Sequence, residues 1–237
     1  MRICASGPKH AGYGKDMVIN MDRQMMEILG NGILETLYMT IVSTVFAYLF
    51  GIPLGVILYL TDKKGICNNR TINFIVGAAV NIIRSVPFLI LLVAILPFTR
   101  VIVGTTIGST ATIVPLIVAA APFVARMVES SLKEIDSGVI EAARAMGSST
   151  LQIIFKVLLP EAKPSLLIGC TISLATILGY SAMAGFVGGG GLGAIAINYG
   201  YYRYQGNMMW ITVFLLVIIV QLFQEIGLKL VGRVDKR

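Results

Sequence analysis

The stretch 136-DSGVIEAARAMGSSTLQIIFKVLLPEAKP-164 is polar and amphipathic, whereas the segments on either side of it are strongly apolar. Its first part carries a small apolar helix face at positions i, i+3, i+4 and i+7, formed by Val139, Ala142, Ala143 and Met146. Asp136 or Ser137 can cap this helix, and Gly147 can end it. A helix of about nine residues cannot cross a bilayer and is marginal alone, so we expect it to dock on a partner surface.

The same spacing returns after the glycine, in a second apolar face formed by Leu151, Ile154, Phe155 and Leu158. A cap is expected within residues 148–150. Pro160 is expected to stop this helix, and Pro164 is expected to open the next one. The stretch therefore predicts a short helix, a glycine hinge and a second helix.

Part of this stretch resembles the EAA loop of ABC importer permeases. Its Glu141-Ala142-Ala143 is followed after three residues by Gly147 and, after nine more, by Val157-x-Leu159-Pro160. Val157 stands where that loop usually has isoleucine, which preserves the β-branch. In that family the loop contacts the ATPase subunit. The resemblance therefore implies ATPase coupling through Glu141, Ala142, Ala143, Met146, Gly147, Leu159 and Pro160.

Further stretches resemble the methionine importer permeases of that superfamily, and the likeness extends from about Met21 to the C-terminus. They are NIIRSVPFLILLV (81–93), PFTRVIVGTTIG (97–108), AAPFVARMVESSL (120–132) and GYSAMAGFVGGGGLG (179–193). The resemblance implies the type I ABC importer fold and the import of L- and D-methionine. A permease for another small amino acid or peptide stays open, because substrate selection can reside in a separate binding protein.

Hydrophobic residues make up 56% of the 237 positions and charged residues 13%, whereas soluble domains usually carry about a quarter charged residues. The chain offers five apolar stretches of about 20 residues or more, which predicts an all-α integral membrane protein. The expected spans are 32–60, 72–96, 107–128, 165–184 and 208–231, within a transmembrane domain of 31–231. Residues 1–30 are expected to form a disordered tail, in which Met21 is an alternative start, and 232–237 a cytoplasmic tail.

Lys and Arg are distributed unevenly between the two sides that these spans define. If the N-terminus lies outside, twelve of them fall on the inner side: Lys63, Lys64, Arg70, Arg126, Lys133, Arg144, Lys156, Lys163, Lys229, Arg233, Lys236 and Arg237. The outer side then carries Arg100 and Arg203 from its loops, and four more from the N-terminal tail. The positive-inside rule therefore places the N-terminus in the periplasm, and the C-terminus and the 136–164 loop in the cytoplasm. This asymmetry accounts for the net charge of +7, so the expected surroundings are membrane lipid and not nucleic acid.

Arg84 is a charge within the second expected span, about 20 Å of helix rise beyond Thr71. A cation at that depth costs about 2.5–3.5 kcal/mol on insertion scales, so it should face protein, water or a lipid headgroup. In one interpretation Arg84 lines the translocation path. In the other, residues 72–83 form a slanted amphipathic helix, Arg84 snorkels to the interface, and the main span starts at Pro87.

The fourth expected span is rich in small residues, which let membrane helices approach closely, so it should lie at a helix interface or along the path. At its outer end, Met183 among small residues is a candidate plug for a gate, with Tyr180 beside it. The gate role is implied mainly by the resemblance, and a packing methionine is the alternative. In the third span, Arg126 and Glu129 are spaced to pair on one helix face.

The run GGGGLG at 188–193 formally matches a dinucleotide-binding fingerprint. No predicted strand precedes it, and no acidic residue follows about 20 positions later, so the run instead predicts a mobile or tightly turned outer loop. The residues that follow predict an aromatic belt at the outer interface: Tyr199, Tyr201, Tyr202, Tyr204 and Trp210.

Neither a metal nor a bound cofactor is expected on this chain. Cys4, Cys67 and Cys170 lack the spacing of a metal site, and His10 is the single histidine. The sequence contains no complete phosphate loop, so the chain is expected not to be an enzyme. ATP and Mg are therefore expected on a partner ATPase.

The resemblance implies an assembly in the bacterial inner membrane. Its expected members are two ATPase subunits, a second copy of this chain and a methionine-binding periplasmic protein or lipoprotein that docks near Arg100 and residues 188–204. A carrier driven by an ion gradient is the competing class of function. It would need acidic residues within the membrane, and none occurs between Ile72 and Val128.

Overall fold

The structure is a computed structural model that describes the backbone of residues 13–63 and 65–234, with side chains over 23–63 and 65–233. In these described ranges the regular elements are helices, and no strand occurs. Cys4, His10 and the last three residues of the expected C-terminal tail lie outside them.

The first helix, α1 (Tyr13–Thr61), begins far earlier than expected. Residues 13–30 were predicted as part of a disordered tail, and that prediction is wrong. The reason is tertiary: Met25, Ile28 and Leu29 pack against an apolar cluster that includes Leu178. These contacts stabilise a segment that sequence hydropathy alone does not mark as a span.

Helix α1 packs mainly on α5 (Ser109–Lys133), and two glycines set how closely the two helices approach. A Cβ on Gly55 would lie 2.5 Å from the carbonyl oxygen of Ala125, and a Cβ on Gly51 would lie 2.6 Å from Val124. Helix α1 continues unbroken through Pro53 between these glycines. The glycines therefore provide close packing along an unbroken helix.

The second expected span, 72–96, is not a single straight helix, and it forms one membrane span only if its two helices cross together as a bent pair. The chain forms α2 (Arg70–Ser85) and α3 (Phe88–Ala94), which are bent by 103° relative to each other. Pro87 restricts the residue before it, and Val86 is extended with φ −84° and ψ 125°. A main span starting at Pro87 stays a prediction, and it would have to include both α3, which has only 7 residues, and α4 after it.

The outer loop expected between spans two and three is largely helical. Helix α4 (Leu96–Val103) fills most of it and ends at Gly104, which has φ +82°. Helix α5 then extends to Lys133, five residues beyond the expected limit at Val128. Polar side chains near its end are buried by neighbouring elements, which hydropathy does not anticipate.

The central stretch forms α6 (Ser137–Ala145) and α7 (Thr150–Ile153), then a π-helical turn (Ile154–Leu158) and the short α8 (Leu159–Glu161). Helix α9 (Lys163–Ala184) follows. Pro160 does not stop the helix as expected, because it lies in the first turn of α8, where a missing N–H costs little. The path from α7 into α9 is therefore almost continuously helical.

Helix α9 leads through a 3₁₀ turn (Gly185–Val187) into α10 (Gly191–Ile195) and a π-helical segment (Ala196–Tyr201). Helix α11 (Gly206–Val234) ends the described chain, so residues 232–234, expected in the tail, are helical instead. Within the described residues, four helical segments are long and apolar enough to cross a membrane, or five if α2 and α3 together form one span.

Candidate functional site

The two groups of predicted site residues lie at opposite ends of the molecule. Helix α6 follows the C-terminal end of α5 and precedes the start of α9. The residues predicted to form a gate lie at the other end, where α9 finishes and α5 begins. We call residues 136–164 the coupling segment and residues 179–193 the gate segment.

The caps predicted for the coupling segment are confirmed. The Asp136 carboxylate accepts a hydrogen bond of 2.6 Å from the Gly138 N–H at the start of α6. Gly147 has φ +79°, the left-handed conformation that ends a helix. Ser149 and Gln152 form a capping box at the start of α7.

The coupling segment presents an apolar surface, which we call the docking surface and which comprises Val139, Met146, Leu151 and Phe155. Met146 is 79% exposed and Leu151 67%. Ala143, predicted on the docking face, is buried against the chain's own core, whereas Glu141 and Ala142 are exposed. Leu159 and Pro160 lie beyond the π turn, toward α9.

The contribution of Leu151 and Phe155 to this surface was missed by the sequence interpretation. Spacing placed them on one face with Ile154 and Leu158, which are in fact buried. The π-helical turn adds a residue to the helical repeat, so side chains beyond it change direction relative to an ideal helix. The sequence offered one signal for a change of helix geometry here, an apolar residue just before Pro160, but this signal does not specify a π turn.

The α1–α2 loop supports the coupling segment from one side. The Arg144 guanidinium donates a 3.1 Å hydrogen bond to the Ile66 carbonyl, and the Lys133 ammonium lies 2.9 Å from the Asp62 carboxylate. Hydrogen bonds from Lys133, and then from the Lys63 backbone N–H, hold the pKa of Asp62 below its ordinary value. Helix α6 is therefore attached to the α1–α2 loop, and the C-terminal end of α5 is attached to the same loop.

Glu129 is buried near this support, where two cations balance its charge. It accepts from Arg126 at 2.6 Å and from Lys133 at 2.7 Å, so the predicted Arg126–Glu129 pair is confirmed. Arg126 also donates to the Asn81 side chain of α2 at 2.9 Å, a contact that the sequence interpretation missed. The network joins α2, α5 and the α1–α2 loop.

Arg84 lies in the last turn of α2, is exposed, and makes no ion pair with any residue whose side chain is described. The 103° bend follows directly after it. A role in the translocation path therefore stays a prediction.

The gate segment contains Tyr180 and Met183 on the last two turns of α9. The Tyr180 ring stacks on Phe88, with centroids 4.6 Å apart and planes 6° from parallel. Met183 is 46% exposed, and Phe186 beyond it is 55% exposed. Phe88, the first residue of α3, was not identified from the sequence, because its position depends on the bend at Pro87.

The glycine run of the gate segment is tightly turned, one of the two forms that the sequence predicted. Gly188, Gly190 and Gly191 all have positive φ. A Cβ on Gly185 would overlap the backbone of Gly193, so α9 and α10 meet in direct backbone contact. Beyond α10, the Arg203 guanidinium lies 4.4 Å from the centre of the Tyr199 ring.

Comparison with known proteins identifies the family. The model of the binding-protein-dependent transport system inner membrane component matches residues 51–237. The chain belongs to this family. As a member of it, the chain is a multi-pass inner-membrane protein, and the predicted membrane class and all-helical fold are confirmed.

Individual members of the family are similar over most of the chain. The "Probable D-methionine transport system permease protein MetI" of Vibrio cholerae is 56% identical over 203 residues, covering 86% of this chain and 90% of that protein. The protein of the same name from Pasteurella multocida is 49% identical, covering 92% of this chain and 100% of its own length.

Solved structures agree with this assignment. A chain of the MetNI methionine ABC transporter in an inward-facing conformation has a TM-score of 0.89 at 54% identity, covering 90% of this chain and 99% of that one. An amino acid ABC transporter chain at 19% identity has a TM-score of 0.73, which shows the shared fold alone. The type I importer fold that the sequence predicted is confirmed.

Proposed function

We propose that this chain is the permease subunit of an ATP-driven methionine importer, and that it forms the path across the inner membrane while a separate ATPase supplies energy. The docking surface carries this proposal. Helix α6 has 9 residues, too few to span a bilayer, and the docking surface exposes one large apolar side chain from α6 and three from the residues after it. Such a surface, rimmed by polar residues, is typical of a protein interaction site.

The proposed partner of this surface is a nucleotide-binding ATPase subunit, present in two copies and using ATP and Mg. Movement of the ATPase pair would displace α6 together with Glu141, Ala142, Ala143, Met146 and Gly147. The nearly continuous helical path through Leu159 and Pro160 would carry that displacement into α9. The hydrogen bond from Arg144 to the Ile66 carbonyl would carry part of it into the α1–α2 loop.

The substrate and the topology are also proposals. Methionine, in L and D forms, is supported by the names of relatives that are 49% and 56% identical over most of this chain. The positive-inside rule supports a periplasmic N-terminus and a cytoplasmic C-terminus. A methionine-binding periplasmic protein or lipoprotein would then dock on the end that carries the gate segment. Tyr180, Met183 and Arg84 are proposed to line or close the path.

The test of the ATPase proposal is co-purification of this chain with a tagged ABC-type ATPase subunit from the same genome. We expect the unmodified chain to recover it, and Met146→Glu to reduce recovery at least roughly tenfold, as for loss of one interface hot spot. Met146 is 79% exposed, so the change should not impair folding. Arg233→Glu, at the exposed end of α11 and outside both the coupling segment and the loop that supports it, is the control and should recover the ATPase normally.

Substrate identity is tested by uptake of labelled L- and D-methionine into proteoliposomes that contain the complex and a binding protein. ATP-dependent methionine uptake is the expected result. Preferential uptake of another amino acid or a peptide would reassign the substrate. Uptake driven by an ion gradient without ATPase, or failure of the unmodified chain to recruit any ATPase, would overturn the proposal.

A further inference from the structure

The glycine turn between α9 and α10 is held from two sides by residues of other helices. From α5, the Thr112 hydroxyl donates to the Gly189 carbonyl at 3.1 Å, and the Gly108 N–H donates to the Gly188 carbonyl at 2.9 Å. These contacts attach the turn to the end of α5 that lies opposite the coupling segment.

From α1, a charged side chain completes the attachment. The Glu35 carboxylate accepts a 2.6 Å hydrogen bond from the Gly191 N–H, and the neighbouring Thr36 hydroxyl accepts a 2.9 Å bond from the Leu192 N–H. A Cβ on Gly190 would lie 2.8 Å from the same Glu35 oxygen, so this oxygen lies directly against the turn while the rest of the Glu35 side chain is exposed. Hydrogen bonds to an ionised acceptor are about twice as strong as neutral ones.

The attachment fixes the end of α9 that carries the gate residues. Met183 is the second-last residue of α9, and Gly185 beyond it is in backbone contact with Gly193 of α10. Gly191 and Leu192 are the first residues of α10. The hydrogen bond that the Gly191 N–H donates to Glu35 therefore holds α10 in place, and α10 in turn holds the end of α9. Helix α1 also meets α10 one turn before Glu35, because a Cβ on Gly32 would overlap the Ile195 side chain.

We propose that Glu35 is a positioning residue for the gate, which holds the α9–α10 turn against α1 so that Met183 keeps the path closed at this end. This inference rests on the proposed function, in which displacement of α6 moves the other end of α9. With the gate end anchored, that displacement would turn or bend α9 about a fixed point. Without the anchor, the gate end would shift independently of the coupling segment.

The test measures access to the gate directly. Met183→Cys is introduced into a full chain in which Cys4, Cys67 and Cys170 are changed to Ser. The new thiol is then labelled in intact spheroplasts with a membrane-impermeant maleimide. We expect Glu35→Gln, which keeps a neutral acceptor oxygen and loses only the charge, to accelerate labelling by roughly fivefold, the difference between a charge-assisted and a neutral hydrogen bond. Glu35→Ala, which also loses the acceptor oxygen, should accelerate it further.

Glu27→Gln is the matched control, because Glu27 is exposed on the same helix two turns away. It should label at the unmodified rate. Unchanged labelling in Glu35→Gln would overturn the proposal, whether or not the thermal midpoint of this variant is lower. Equal acceleration in Glu27→Gln would overturn it as well. Labelling requires neither the ATPase nor methionine, so its outcome is separate from that of the co-purification and uptake experiments.

Discussion

Gly147 is the residue at which the coupling segment changes direction, and its requirement is conformational. Its φ is +79°, while no atom lies within 4 Å of the position that a Cβ would occupy. Space is therefore not the constraint at this position. The left-handed backbone disfavours every residue that has a side chain, and Asn is the least disfavoured.

We predict that Gly147→Ala destabilises the bend by about 1–2 kcal/mol and that Gly147→Asn costs less, because Asn tolerates the left-handed region. The altered angle between α6 and α7 should also weaken ATPase recovery. Thermal unfolding in detergent and co-purification measure the two effects. Gly232→Ala is the control, since Gly232 also has open space but an ordinary helical backbone. Equal effects at both glycines would contradict the prediction.

Helices α1 and α5 form the pair on which the rest of the fold is assembled, and their separation is set by glycine. Gly51 and Gly55 lie one turn apart and face the backbone of α5. Small residues permit such close approach between membrane helices, where packing replaces the hydrophobic effect as the driving force. This contact explains why glycines occur in the middle of a long helix despite their poor helix propensity.

We predict that a glycine-to-alanine substitution has opposite effects on protein stability at two positions of α1. Gly55→Ala should destabilise the protein by about 1–3 kcal/mol, because the new methyl group meets the Ala125 carbonyl, which cannot move aside. Gly30→Ala should stabilise it by about 0.5–1 kcal/mol, because Gly30 has open space and alanine favours the helix. Thermal midpoints in detergent compare the two. A neutral or stabilising effect of Gly55→Ala would contradict the prediction, because it would show that α1 and α5 leave room for the new methyl group.

The described part of the chain leaves one side of α9 exposed, although α9 carries the gate residues. The exposed positions follow a helical stripe: Ile168, Ile172, Gly179, Met183 and Phe186. No atom lies within 4 Å of the place for a Cβ on Gly179. Four or five membrane segments enclose little space alone, so this side is expected to meet a second copy related by a two-fold axis.

We predict that Gly179→Cys, in the cysteine-free background, forms a disulfide-linked dimer under mild oxidation in the membrane. Residues near a two-fold axis lie close to their own copies, which makes this bond geometrically accessible. Phe214→Cys is the control, since Phe214 is 66% exposed on α11, where we expect lipid. Non-reducing gel electrophoresis measures the result. Efficient dimer formation at position 214 and none at 179 would reverse the assignment of these two surfaces.

The sequence by itself determined the membrane class, most of the long helices and the two short helices around Gly147. It also determined the caps at Asp136 and Ser149 and the Arg126–Glu129 pair. These features depend on side chains within a few positions of one another, or on average apolarity over about 20 residues. Backbone sterics and local hydrogen bonding act over the same range, so the local pattern is sufficient.

Only the tertiary structure decided the features that join distant parts of the chain. The bend after α2 brings Phe88 onto Tyr180, and the Glu35 carboxylate meets the Gly191 N–H across 156 positions. Tertiary packing also decides that Leu151 and Phe155 are exposed while Ile154 and Leu158 are buried. These outcomes depend on how whole helices pack, because burial and long-range hydrogen bonds are properties of the assembled bundle and are not encoded in any short segment.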